Sequence, residues 1–137
     1  MENKIIISTV TSPSLFLNDS KKVLILANPK AMNDIKNIFL DSEINESLTL
    51  YCSEDITEDL TWILFHISIV DYIIIVVDPS TSEEGLILAS SLALDTKTYL
   101  CVNEKDNFLN IVRLRNRNLC SDHHQITYNV IEAIKVL

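Results

Sequence analysis

The sequence predicts an α/β protein: a three-layer arrangement in which an open, mostly parallel sheet carries helices on both faces. Three observations predict it. Short β-branched runs alternate with amphipathic stretches along the chain, the pattern left by repeated strand–helix crossovers. The run "YIIIVVD" (residues 72–78) is apolar at consecutive positions, as a central parallel strand covered on both faces must be. The 137 residues are 47% hydrophobic, enough for a single domain with a real core and too apolar for disorder.

The elements follow in order. The leading segment "KIIISTVTSPSLFLND" (4–19) reads as an extra strand or as an irregular extension packed over the sheet edge. "KVLILA" (22–27) is a strand, and "AMNDIKNIFL" (31–40) a helix with Ile35, Ile38 and Phe39 on one face. "SLTLYC" (47–52) is a strand. "EDITEDLTWILFHIS" (54–68) is a helix for which Ser53 is the expected N-cap. After strand 72–78 comes a helix over 82–94, where Thr81 and Glu84 have capping-box spacing. "TYLCV" (98–102) is a strand and "NFLNIVRLRN" (107–116) a helix. A short strand near 125–128 and a helix over 130–137 close the chain.

Composition excludes several function classes. A net charge of −8 disfavours a nucleic-acid surface, whose affinity comes from lysine and arginine. The stretch "TWILFHISIVDYIIIVV" (61–77) imitates a membrane span, but it holds His66 and Asp71 and changes period partway. It is also shorter than the ~20 apolar residues that span a bilayer, so a buried helix followed by a buried strand is expected, with no membrane partner. The N-terminus has no charged region followed by a cleavage-site pattern, so no signal peptide is expected. Cys52, Cys101 and Cys120 lack metal spacing, and two lie in strand-like runs; reduced thiols of an intracellular protein are expected.

Candidate site residues fall at strand ends, where open α/β sheets hold ligands. Set on the phosphate-loop template G-x-x-x-x-G-K-[ST], the loop after the strand 22–27 has Ala27 and Met32 for the glycines, Asn33 for the lysine and Asp34 for the hydroxyl. The main counter-charge is missing, a carboxylate replaces the magnesium ligand, and the whole chain has one glycine, Gly85. No nucleotide or other cofactor is therefore expected. "NEKD" (103–106) keeps the Asn103 and Asp106 spacing of a guanine-reading N-K-x-D motif, with Glu104 at the lysine position; alone, it reads as a polar turn with Asp106 capping a helix. Glu83 in "DPSTSEEG" could act as a catalytic carboxylate, although acids in a first turn commonly serve the helix dipole. His123 and His124 read as surface residues with too few neighbouring ligands for zinc, so no metal is expected. Arg113, Arg115 and Arg117 form a small basic spot, solvated by default. On the helix 54–68, Ile56, Leu60, Leu64 and Ile67 make one apolar face, while Trp62, Phe65, His66 and Ile69 crowd another. A helix on a sheet buries one stripe, so the second is either a protein interface or a surface covered by residues 4–19.

In order, "VLILANPKAMNDIKNIF", "VDYIIIVVDPSTSEE", "TYLCVNEKDNF" and "ITYNVIEAIKVL" resemble the first strand and phosphate loop, the second apolar strand, the N-K-x-D strand and the closing helix of a small GTPase. The likeness covers residues 22–137. The loop lysine and glycines are absent, no D-x-x-G precedes the helix 54–68, and there is little room for a first switch between residues 40 and 48. The chain is thus similar to a pseudo-GTPase, a small-GTPase-like or Rossmann-like domain without its nucleotide motifs. That resemblance implies a non-enzymatic scaffold binding protein partners in a multiprotein complex, of the kind found at the inner kinetochore. It implies a nuclear location in that case and a cytoplasmic one otherwise. Two other resemblances compete. The same strands look like a receiver domain with Asp78 as phosphoacceptor, though the acidic pair after the first strand is absent. "LANP" with "STSEEG" looks like a nucleoside deoxyribosyltransferase using Glu83, though Ala89 lies four residues after Gly85, out of register for E-x-G-x-A.

Overall fold

The computed structural model describes residues 5–13, 19–103 and 116–136. Strands β1 (Ile5–Ser8), β2 (Lys21–Leu26), β3 (Leu48–Ser53), β4 (Tyr72–Val77), β5 (Thr98–Val102) and β6 (Leu119–Cys120) form one sheet in the order β1-β3-β2-β4-β5-β6. Every pairing in it is parallel. The helices are α1 (Pro29–Asp41), α2 (Leu60–Ile67), α3 (Glu83–Leu92) and α4 (His123–Val136). Counted from β2, the order 2-1-3-4-5 is that of flavodoxin-like doubly wound sheets, a Rossmann-like architecture. The expected three-layer α/β fold is present.

The strands' two-residue period assigns the layers. Val23 and Ile25 of β2, with Ile74 and Val76 of β4, share a core with Ile35 and Phe39 of α1 and Ile126, Val130 and Ile134 of α4. Leu24, Leu26, Ile73, Ile75 and Val77 point the other way, against Ile63 of α2 and Leu88 and Ala89 of α3. The membrane-like stretch is the end of α2 followed by β4, and no helix among the described residues is long and apolar enough to cross a membrane. The N-terminal segment provides a strand: β1 lies at the edge beside β3. Cys52, Cys101 and Cys120 are free thiols. Burial pushes the Cys52 and Cys101 thiols up to about 12.

Several boundaries differ from expectation, each for a local reason. The second helix begins at Leu60, not residue 54, and Ser53 is not its cap. Ser53 Oγ accepts from the backbone N–H of Asp55 and donates to Asp59 Oδ2 (2.8 Å), while Asp55 Oδ1 accepts from Glu58 N (3.1 Å). These side-chain bonds hold residues 55–59 as a turn instead of a first helical turn. The later start changes which side chains face inward. Ile63 and His66 are buried, and Leu64, expected on the core face, is 53% exposed. At α3 the cap is Ser82, whose Oγ accepts from Gly85 N at 3.1 Å, and not Thr81. The Thr81 hydroxyl is already engaged by Asp78 N (2.9 Å), and Glu84 accepts from Thr57 Oγ1 across the loops. No strand forms at 125–128. The β-prone "QITY" belongs to α4, where Ile126, Val130 and Ile134 recur at helical spacing and are all buried. The sixth strand is instead Leu119–Cys120, beside β5. The helix expected over 107–116 lies outside the described residues, apart from its last position.

Gly85 owes its identity to close packing. A Cβ there would stand 2.7 Å from Thr81 Cγ2 and 3.1 Å from Ile56 Cδ1. Alanine normally gains about 1 kcal/mol over glycine inside a helix, whereas overpacking costs about 1–3 kcal/mol. Gly85→Ala is therefore expected to destabilise the fold by about 1 kcal/mol. Adding Thr81→Ser, which keeps the hydroxyl and removes the methyl, should recover most of the loss in urea unfolding. A stabilised single variant would show that the methyl contact yields freely.

Candidate functional site

Parallel strands bring their C-terminal ends to one edge of the sheet, and the winding reverses between β2 and β4. Ligands bind at such a reversal in open α/β sheets. A cleft of about 140 Å³ lies there, lined by Ala27 and Asn28 after β2, residues 54–57 after β3, and Asp78 and residues 80–82 after β4. Known ligand pockets are roughly 300–1,000 Å³, and the cleft is smaller than these.

Its floor is organised by one asparagine. β2 ends at Leu26 and α1 starts at Pro29, so only Ala27 and Asn28 join them. Asn28 is the N-cap of α1: its Oδ1 accepts from Ala31 N at 2.8 Å. Its Nδ2 donates to Asp78 Oδ2 at the end of β4. Asp78 Oδ1 accepts from Ser80 N (2.8 Å) and Ser80 Oγ (2.5 Å). Burial pushes the Asp78 carboxyl up, but the donors from Ser80, Asn28 and Thr81 outweigh it and hold the group below the usual carboxylate range. Among the described residues the lining includes Glu54, Asp55 and Asp78 and no lysine or arginine. The described lining is therefore acidic.

The nucleotide positions read from the sequence scatter. Ala27 borders the cleft, Met32 is fully buried in the core, and Asn33 points to solvent. Asn103 is exposed, and its backbone N–H donates to Val77 O at 2.8 Å. Glu104 and Asp106 lie outside the described residues, as do Arg113 and Arg115. Glu83 opens α3 but is exposed and absent from the cleft lining. The second face of α2 divides as well. His66 is an interior residue, its ring 4.4 Å from Tyr51 and 4.2 Å from Trp62 and its Nδ1 2.7 Å from Trp62 O. Trp62 and Ile69 are half-buried against the core, and Phe65 is 62% exposed beside Leu64.

Sequence reading missed two features. Asn28 carries no motif and is recognisable only as a polar residue before Pro29, a helix-start signal. The second feature is a cluster between α1 and α4. Asp34 Oδ2 lies 3.0 Å from His123 Nε2 and 3.6 Å from His124 Nε2. The hydrogen bond from His123 holds the Asp34 carboxyl low, with His123, His124 and Lys30 adding attraction. The histidines expected to stand apart on the surface therefore meet a carboxylate 89 residues away in the chain.

No protein-family model matches the chain, and no curated protein matches it significantly. What fold and cleft define is a class: an all-parallel, doubly wound α/β protein whose switch-point cleft has an acidic described lining and a floor braced by the Asn28–Asp78 hydrogen bond.

Asp78→Asn would set an amide against the N–H groups of Ser80 and Asn28, and losing a charged acceptor there costs about 1.5–3 kcal/mol. Because the folded-state pKa is lowered, the ionised carboxylate stabilises the fold above the unfolded value of about 3.9. That contribution disappears as pH falls through the depressed folded value. The stability gap between wild type and variant, measured by chemical unfolding across pH, should be full near neutrality and narrow as pH falls below the unfolded value of about 3.9 and through the depressed folded one. A gap independent of pH would show that Asp78 acts through shape alone.

Proposed function

We propose that this chain is a non-enzymatic, pseudo-GTPase-like module that serves as a protein-interaction subunit of a multiprotein complex. The observation that carries the reading is the two-residue junction between β2 and α1. At the place where a nucleotide-binding relative would cradle phosphate on backbone N–H groups, Asn28 caps the helix itself and Asp78 sits alongside. The resemblance in size, N-terminal lead and missing motifs is to centromere protein M of the inner kinetochore, which supports a nuclear scaffold role. Glu83, exposed and outside the cleft, supports this reading over nucleoside cleavage. The bonds that occupy both oxygens of Asp78 support it over phosphoacceptor chemistry.

Two outcomes test it. Millimolar GTP with magnesium should leave the melting temperature unchanged, whereas an upward shift of several degrees would establish nucleotide binding and defeat the proposal. For the interaction surface, Leu64 and Phe65 are the exposed apolar pair on α2, and aromatic anchors dominate protein interfaces. Leu64→Ser with Phe65→Ser should change stability by no more than about 0.5 kcal/mol while abolishing co-purification of the native complex. Retained partners with an intact fold would move the interface elsewhere.

A further inference from the structure

We propose that Asp34, His123 and His124 form a binding site for a divalent transition-metal ion of the zinc class, bridging α1 to α4. In a tetrahedral zinc site with bonds of about 2.0–2.1 Å, neighbouring ligand atoms are about 3.3 Å apart. The observed separations from Asp34 Oδ2, 3.0 Å to His123 Nε2 and 3.6 Å to His124 Nε2, fall on either side of that value. The three ligand atoms all lie within 4.8 Å of one another. A chance ion pair on a protein surface requires one such contact. Here three groups converge.

A second, independent observation concerns how His124 is held. Its Nδ1 lies 3.1 Å from Asp122 Oδ1, and the same oxygen accepts the His124 backbone N–H at 2.9 Å. A carboxylate can only accept, so Nδ1 donates to Asp122, which turns Nε2 toward Asp34 and, in the neutral ring, leaves its lone pair on that side. This is the carboxylate–histidine arrangement that orients imidazole ligands in metal centres. The two rings lie side by side, with centroids 4.3 Å apart. A metal ion would accept one lone pair from Asp34 Oδ2 and one from Nε2 of each ring, with the single N–H of neutral His123 carried on Nδ1. Two imidazoles and a carboxylate match the borderline-soft zinc class better than magnesium or calcium, which take oxygen ligands. Three protein ligands leave one tetrahedral position for water.

The test is calorimetric titration of the full chain with zinc chloride near neutral pH, with cobalt(II) visible spectra reporting four-coordinate geometry. Wild type should bind about one equivalent, and Asp34→Asn and His124→Gln should each weaken binding by at least about tenfold. Circular dichroism checks folding; if Asp34→Asn fails to fold, His124→Gln, altered at an exposed position, decides. Cys120→Ser should bind zinc like wild type. The proposal is overturned by absence of saturable binding, by unchanged affinity in the folded ligand variants, or by binding that survives Asp34→Asn and vanishes in Cys120→Ser.

Discussion

Residues Val23–Leu26 and Ile73–Val77 are buried on both faces of the sheet, so β2 and β4 must each be roofed twice, and the rest of the architecture answers that requirement. Apolar side chains on alternating faces call for helices above and below, which α1 and α4 provide on one side and α2 and α3 on the other. Parallel neighbours require crossovers that return each strand to the same starting edge. The strand-to-helix junctions among the described residues, at 27–28, 54–59, 78–82 and 121–122, therefore gather at one edge. The polar cleft is thus a consequence of how two strands are buried, whatever the cleft does.

What the junctions do with that position is a separate matter, and here the side chains turn inward on themselves. A carboxylate offers about four lone-pair sites, and three donors reach Asp78 from Asn28 and Ser80. Asp55 and Ser53 are likewise committed to the 55–59 turn, and Thr57 to Glu84. Polar groups that close their own turns stabilise the loops and are less available for a ligand. The same doubly wound fold serves flavin-binding and phosphoacceptor proteins, so what distinguishes this cleft is the bonding of its side chains and not its architecture.

The parts of the fold legible in the sequence are those governed by burial. Four of the strands were recognisable within a residue or so, because a β-branched run buried on both faces has no competing explanation. The misread parts are those where a polar side chain or a distant contact decides. The late start of α2 depends on Ser53 and Asp55 bonding to neighbouring backbone, and a shifted start rotates every later residue, which is how His66 comes inside and Leu64 outside. "QITY" has strand propensity, yet it lies beneath α1, where Ile126 continues a helical stripe and tertiary packing overrides propensity. At the cleft, Asp78 was legible as a strand-end acid, but Asn28 was not, since its partner is 50 positions away.

The α1–α4 seam shows the same limit from the other side. Sequence spacing finds metal ligands when they lie on one element, and His123 and His124 alone are too few. The third group, Asp34, is supplied by α1, which packs on the same face of the sheet because β2 needs covering there. The hydrophobic stripe of Ile35 and Phe39 on α1, set against Ile126 and Val130 on α4, fixes the approach of the two helices. Asp34, directly before Ile35, then stands at the polar rim of that seam opposite the first turn of α4. The helix that carries the carboxylate is held by apolar packing, and rigid elements of this kind position ligands better than loops do. A polar cluster found only in the folded chain is therefore a product of the core beneath it.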